Sequence, residues 1–110
     1  MSETTLNLTQ AAVDVLAERR RQVEAEGWTH QHDDRHDEGE IARAAAAYAY
    51  GAGRNPDDRK NNYCPTFWPW NANWWKPTDR RRDLLKAGAL ILAEIERLDR
   101  AVLTQREASR

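Results

Sequence analysis

Four of the five tryptophans lie within eight consecutive positions, and this cluster restricts the possible folds more than any other feature. They are Trp68, Trp70, Trp74 and Trp75. A tryptophan side chain is large and costly to leave in water, so such a cluster must fill a core or line a pocket. Pro69 and Pro77 exclude a long regular element, because proline fixes φ and removes a backbone donor. The segment Phe67–Pro77 is therefore predicted to form a rigid, ordered loop.

The first predicted helix begins after Thr9, whose hydroxyl suits an N-cap, and ends near Glu26, just before Gly27. Its apolar residues recur every three or four positions and predict a core-facing stripe: Ala12, Val13, Leu16, Ala17 and Val23. Arg20 falls on the same stripe. We therefore expect Arg20 to be buried against an anion, either an internal carboxylate or a bound phosphate.

Two further helices are predicted. The second runs from about Glu38 to Tyr50, with Asp37 and Glu40 resembling a capping box. The last begins at Thr78 or Asp79 and reaches about Leu103, roughly 35 Å at 1.5 Å per residue. Its apolar positions alternate steps of four and three: Leu84, Gly88, Ile91, Ile95, Leu98 and Val102. This periodicity predicts that the last helix is the spine of the fold.

The predicted fold class is all-α, with three main helices and a long ordered Trp/Pro-rich loop before the long C-terminal helix. No alternating pattern predicts a strand. A chain of 110 residues is expected to form a single domain, residues 1–110, with frayed ends at about 1–8 and 104–110.

The charge balance and the cysteine content limit the classes of binding partner and the cellular compartment that we expect. The 17 basic and 18 acidic residues give a net charge of −1, which predicts no attraction to bulk nucleic acid or to membranes. Cys64 is the only cysteine, so no internal disulfide can form. Met1–Gln10 lacks the features of a signal peptide, and Ala87–Ala93 is too short to span a bilayer. We expect a cytoplasmic protein, in the host cytoplasm if phage-encoded.

The tryptophan loop has two interpretations. In one, its rings only fill a core that three helices cannot complete. In the other, some rings line a pocket and stack on a flat ligand, while Asn71 and Asn73 bind a base edge and an arginine holds an anion. The predicted ligand-binding residues are Arg20, Trp28, His32, Trp70, Asn71, Asn73, Trp74, Trp75, Lys76 and Arg81.

A second polar cluster lies within eight residues: His30, His32, Asp33, Asp34, His36 and Asp37. Its spacing is not that of a strong metal site, so we expect neither a metal nor a cofactor. The aspartates suit local backbone capping, or one of Asp33 and Asp34 pairs with an arginine of Arg80–Arg82. Such a pair would hold Trp28 beside the tryptophan loop, with His30 or His32 facing the pocket.

The chain resembles a set of short phage and prophage proteins over residues 17–100. The shared blocks are Glu18-Arg19, Arg21-Gln22, Glu26-Gly27-Trp28, His32-Asp33-Asp34, Trp68-Pro69-Trp70, Trp74-Trp75-Lys76-Pro77, Asp79-Arg80-Arg81, Asp83-Leu84 and Ala93-Glu94-Ile95-Glu96-Arg97-Leu98.

The order of these blocks is also similar to the ryanodine-receptor (RyR) repeat domain. The matching positions are Gly27-Trp28, Asp33-Asp34, Pro69-Trp70, Lys76 and Asp79-Arg80. The alanine-rich stretch Ile41–Tyr50 and the additional tryptophans depart from that pattern. The resemblance implies a helical module that binds ligands or partners without chemistry, in settings that suggest recognition of nucleotide signals.

Three functions follow as expectations. The first is a non-enzymatic phage-type module that captures a small anionic aromatic ligand, nucleotide-like and including cyclic-nucleotide immune signals. The second is a MazG-like all-α pyrophosphohydrolase of nucleoside triphosphates, although the Glu-Glu-x-x-Glu metal motif is missing. The third is a protein-binding inhibitor of a host defence complex. The long helix could also pair in a homodimer or higher oligomer.

Overall fold

The computed structural model describes residues 7–61 and 63–110, and within them the chain forms five α-helices, one 3-10 turn and no strand. The helices are α1 (Gln10–Glu24), α2 (His30–Asp34), α3 (Glu40–Ala52), α4 (Pro56–Lys60) and α5 (Arg80–Ala108), and the 3-10 turn is Ala72–Trp74. The predicted all-α class is confirmed. Residues 1–6, most of the predicted frayed N-terminus, lie outside the described residues.

Helix α5 is the spine, and α1, α2 and α3 all pack against it. The core between α3 and α5 consists largely of small side chains, so the two helices approach closely. Its buried members are Ile41, Ala44, Ala45, Ala47, Tyr48, Trp68, Ala87, Leu90 and Ala93. Trp28, Trp70 and Trp75 pack against this cluster from the loops. Part of the tryptophan loop therefore completes the core.

The predicted N-cap Thr9 is confirmed, and Asp79, one of the two predicted starts of the last helix, is the N-cap of α5. The Thr9 side chain accepts a hydrogen bond from the Ala12 backbone, and Asp79 accepts one from Arg82 at 2.8 Å. Helix α5 continues to Ala108, beyond the predicted end at Leu103. No glycine or proline interrupts residues 104–108, so the helix propagates to Ser109 although these side chains are polar.

The predicted capping box of the second long helix is wrong. Its N-cap is Gly39, in a left-handed conformation with φ of 85° that suits glycine, and no side chain caps this end. Glu40 instead accepts a hydrogen bond from the Glu38 backbone at 2.7 Å. The helix therefore begins two residues later than predicted.

Two five-residue helices lie where only turns and loops were predicted. Thr29 caps α2 and Asn55 caps α4, where Pro56 occupies the first turn. Helices this short carry no readable periodicity, although their caps were visible in the sequence.

The apolar stripes of α1 and α5 face away from the core, contrary to the prediction. The buried residues of α1 are Glu18, Arg19 and Gln22, whereas Leu16 is 51% exposed. In α5 the core-facing positions include Ala87, Leu90 and Ala93. Periodicity identified both helices but assigned the wrong face to the core. Small residues and ion-paired side chains occupy the buried faces instead.

Removing the cap of α5 tests this account of the spine. Asp79→Ala is expected to lower the free energy of unfolding by about 0.5–2 kcal/mol, because the backbone N–H of Arg82 loses its acceptor. Chemical denaturation followed by circular dichroism would measure the change. Asp79→Ser, which retains an acceptor, should recover most of it; equal losses in both variants would contradict the capping role.

No helix within residues 7–61 and 63–110 combines the length and apolar character needed to cross a bilayer.

Candidate functional site

An apolar cavity of about 330 Å³ opens between α2 and the tryptophan loop. Its walls are almost entirely aromatic, and we call it the aromatic pocket. It is lined by Trp28, His32, His36, Trp68, Trp70, Asn71 and Trp74. No Asp, Glu, Lys or Arg is among these lining residues. The cavity is near the lower end of the roughly 300–1,000 Å³ range of small-molecule pockets.

One wall comes from the chain between α1 and α3. Gly27 has a φ of 75°, which turns the chain out of α1, and the Trp28 backbone N–H donates to the Gln22 carbonyl at 3.0 Å. The Trp28 ring then lies parallel to His32, with centroids 6.1 Å apart and an interplanar angle of 8°. His36 meets Trp70 edge-on at 5.2 Å. His32 lies in α2, whereas His36 lies two residues past its end, where its backbone N–H donates to the Asp33 carbonyl at 3.0 Å and keeps the ring on the same wall.

The opposite wall is the tryptophan loop, which is held by its own hydrogen bonds. The Trp68 indole N–H donates to the Asn71 carbonyl at 3.1 Å, and the Asn71 side chain accepts from the Asn73 backbone at 2.8 Å. Trp68 is buried, whereas Trp74 is 59% exposed at the edge of the pocket. This wall is therefore largely formed before any ligand arrives.

Trp75 belongs to the core and does not line the aromatic pocket, contrary to its predicted role. Its ring stacks on Tyr48 with centroids 4.7 Å apart and meets Trp68 at 5.1 Å. An added Cβ at Gly51 would lie only 3.5 Å from the Trp75 ring. The adjacent Trp74 and Trp75 point to different surroundings because the 3-10 turn ends between them.

A buried ion group fixes α2 to the helices behind it. One Arg19 guanidinium nitrogen lies 3.2 Å from Asp33 and 3.0 Å from Glu96. Asp34 pairs with Arg100 at 2.8 Å. The predicted pairing of Asp33 or Asp34 with Arg80–Arg82 is therefore wrong. The expected consequence nevertheless occurs, since Trp28 lies beside Trp70 with centroids 6.4 Å apart.

A second cavity of about 270 Å³, here called the charged groove, shares Trp28 and Trp74 with the aromatic pocket. Its lining holds four basic residues, Arg21, Lys76, Arg82 and Lys86, and two acidic residues, Glu18 and Glu26. The difference is an excess of two positive charges. The remaining lining residues are Gln22, Trp28, Tyr48, Trp74, Thr78 and Leu90.

The groove's cations differ in how far they are already neutralised. Arg21 makes a two-point contact with buried Glu18 at 2.9 and 3.0 Å, and these hydrogen bonds raise the pKa of its guanidinium. Arg82 contacts the same carboxylate at 2.7 Å. The Lys76 ammonium lies 5.4 Å above the Trp74 ring. Lys76 therefore carries a charge close to the junction of the two cavities.

Lys86 lies deeper in the groove. Its ammonium donates to the Lys76 carbonyl at 2.7 Å and lies 5.3 Å from the centre of the Tyr48 ring. Burial lowers the pKa of this ammonium, and the same cause raises the pKa of the Tyr48 phenol. The Tyr48 hydroxyl accepts a hydrogen bond from the Lys76 backbone at 3.2 Å, which ties the loop to α3.

The remaining predicted residues lie elsewhere. Arg20 is exposed and lines neither cavity, so its predicted burial is wrong; the buried arginine is its neighbour Arg19. Asn73 is exposed and lines neither cavity. Arg81 pairs with Asp14 at 2.8 Å and lines neither cavity, although it borders a neighbouring depression that shares Glu18, Arg21 and Arg82 with the charged groove.

The ligand-binding prediction omitted eleven residues that line these cavities: His36 and Trp68 in the aromatic pocket, and Glu18, Arg21, Gln22, Glu26, Tyr48, Thr78, Arg82, Lys86 and Leu90 in the charged groove. The four-residue spacing of His32 and His36 gave no helical signal, because α2 is only five residues long and ends before His36. The groove's cations come from α1, α5 and the loop, and no local pattern in the sequence joins them.

No group of three or more His, Cys, Asp and Glu side chains within residues 7–61 and 63–110 is arranged to hold a metal ion. Glu96, an acidic residue late in α5, pairs with Arg19 at 3.0 Å.

Comparison with protein-family models, with curated proteins and with solved structures finds no match to this chain. The resemblances to phage proteins and to the RyR repeat domain stay predictions.

Proposed function

We propose that this chain is a non-enzymatic binding module for a nucleotide-like ligand. A base or similar flat ring occupies the aromatic pocket, and the ligand's phosphate extends into the charged groove. The observation that carries this proposal is the pair of walls, Trp28 and Trp74, that the apolar pocket and the positively charged groove share. One ligand can therefore contact both cavities.

Stacking supplies the affinity for the flat part of the ligand. Indole faces accept any nucleobase, at about 1–3 kcal/mol per stacked base. Trp68, Trp70 and the two histidines hold one another edge-on, so the pocket loses little conformational freedom on binding. Asn71, which also lines the pocket, is the polar group available to a base edge.

Charge favours an anion over a cation. An aromatic cavity can also bind a quaternary ammonium through cation–π contacts. Here no carboxylate lines the pocket, and the adjoining groove has two more basic than acidic residues. A bound cation would be repelled by that groove, whereas a phosphate would be attracted to it.

Cyclic-nucleotide signals of host immunity are the members of this ligand class that we propose for a phage-type protein. In that setting the chain would act as a sponge, lowering the free concentration of the signal without altering it. A module of this kind needs tight binding and no catalytic group.

Calorimetric titration with AMP, GMP, adenosine and a cyclic dinucleotide tests the proposal. We expect at least one nucleotide to bind. If AMP binds, it should bind more tightly than adenosine, because adenosine has no phosphate to contact the charged groove. Trp74→Ala should weaken nucleotide binding about 5- to 150-fold, the equivalent of one lost stacking contact. Tyr63→Ala, which removes an exposed aromatic ring that lines neither cavity, is the control and should change nothing.

The contribution of the charged groove to nucleotide binding is tested with a separate variant. Lys76→Met should weaken binding of the nucleotide about tenfold and leave nucleoside binding unchanged, because it removes a charged donor near the junction. Lys60→Met, at an exposed position in α4, is the matched control. Absence of binding by any of these compounds to a folded sample would overturn the proposal. The exposed indole of Trp74 would then favour the protein-binding inhibitor, since tryptophan is a common interface anchor.

A further inference from the structure

Helix α5 carries a row of aliphatic side chains on the face turned away from the core. Leu84, Ile91, Ile95, Leu98 and Val102 are each 48–51% exposed. They follow one another at steps of seven, four, three and four, with Gly88 in the missing register position. This is the spacing of a coiled-coil seam, in which the a and d positions of successive heptads meet a partner helix. We call these five residues the α5 row.

The other sides of α5 are already covered. Helix α3 packs on the side of Ala87, Leu90 and Ala93, where the core lies. Helix α1 reaches the register of the row only at Gly88, where an added Cβ would lie 3.2 Å from Val15. The five larger side chains of the α5 row stay 48–51% exposed, so neither α1 nor α3 covers them.

The shape of the chain also indicates that α5 has a further contact. Its radius of gyration is 16.0 Å, against about 13 Å expected for a folded chain of this length. The long dimension is 54 Å, and every residue of α5 after Arg100 is exposed. A single helix extending from a small core buries little apolar surface of its own, so its stability requires another contact.

We propose that α5 pairs with the α5 of a second copy of this chain, burying the α5 row of each in a two-fold interface. A two-fold contact uses the same surface twice, so a self-pairing covers ten half-exposed aliphatic side chains. That is on the order of 1,000 Å² of apolar surface, and flanking side chains would bring the total into the range of about 1,200–2,000 Å² typical of stable complexes.

Charge also favours a second copy over a strongly charged partner. The charged residues beside the row do not share one sign: Glu94 binds Arg97 at 2.8 and 3.0 Å, and the exposed Asp99 and Arg106 carry opposite charges. The surface around the α5 row therefore has no net charge that would select an acidic or a basic partner. This inference is independent of the proposed ligand, because none of the row residues lines the aromatic pocket or the charged groove.

Sedimentation equilibrium of the full chain tests the pairing. The wild-type protein should sediment at twice its 12.7 kDa mass at micromolar concentration. The double variant Ile91→Glu/Ile95→Glu should raise the dimer dissociation constant about 100-fold or more, because four carboxylates would enter the apolar seam. Leu103→Glu is the matched control: this leucine is 55% exposed on the same helix but lies outside the row, and its substitution should leave the dimer intact.

Circular dichroism of each variant separates loss of pairing from loss of fold. If the double glutamate variant loses helix content, Leu98→Ser, a smaller change in the same row, should still weaken the dimer more than Leu103→Ser does. A wild-type chain that stays monomeric up to 100 times the micromolar concentration at which the dimer is expected would overturn the proposal. A dimer that is unaffected by substitutions in the α5 row, or weakened equally by the control, would also overturn it.

Discussion

Replacing Arg19 with methionine is expected to lower the free energy of unfolding by about 3–5 kcal/mol. The Arg19 guanidinium is nearly buried and contacts Asp33 at 3.2 Å and Glu96 at 3.0 Å. Methionine fills similar space but leaves the buried Asp33 carboxylate without its cation. Glu96 is partly exposed and regains water, so the cost comes mainly from Asp33.

Arg20→Met is the control for this prediction, because Arg20 is the adjacent residue and is exposed. It should change the free energy of unfolding by less than about 0.5 kcal/mol. Urea denaturation of both variants at one protein concentration measures the difference, and the fixed concentration matters if the chain pairs. Equal losses, or a loss below about 1 kcal/mol for Arg19→Met, would show that the buried ion group does not hold α2 in place.

Truncating Trp75 to alanine should cost about 3–5 kcal/mol of folding free energy, the range for large aromatic residues in cores. The ring fills the space between Tyr48 and Trp68 and contacts the backbone at Gly51. Neither α3 nor α5 can move inward to close that space, since both already meet through alanines. The expected result is a marginally folded protein with a lower melting temperature.

Trp74→Ala is the matched comparison, because the two tryptophans are adjacent but Trp74 is 59% exposed. It should cost less than about 1 kcal/mol of stability while weakening nucleotide binding. Trp75→Phe should lose less than Trp75→Ala, since it retains a ring and removes an indole N–H that has no hydrogen-bond partner among the described residues. Equal destabilisation by Trp74→Ala and Trp75→Ala would contradict the division between pocket and core.

The pocket was only partly predictable from the sequence. The proline-bounded tryptophan loop and Trp28 were expected to meet, and they do, with Trp28 and Trp70 centroids 6.4 Å apart. The sequence also predicted that the Arg20 guanidinium would lie buried at the pocket, because helical register placed Arg20 on the apolar stripe. That face of α1 proved to be exposed. The cations that border the pocket come from three separate segments, and such an arrangement depends on how the segments cross.

The sequence by itself determined the three long helices, because caps, glycine stops and periodicity act over a few neighbouring residues; it did not predict the five-residue α2 and α4. It also determined that Phe67–Pro77 is an ordered loop, since its prolines fix the backbone φ angle and its tryptophans are costly to leave in water. The tertiary structure alone decided which face of α1 and α5 is buried. Close packing of alanines in α3 with Ala87 and Ala93 in α5 brings the small faces together, and Glu18, Arg19 and Asp33 are tolerated inside because each finds an opposite charge. The larger aliphatic side chains were thereby left on the outside, where the proposed pairing of α5 would cover them.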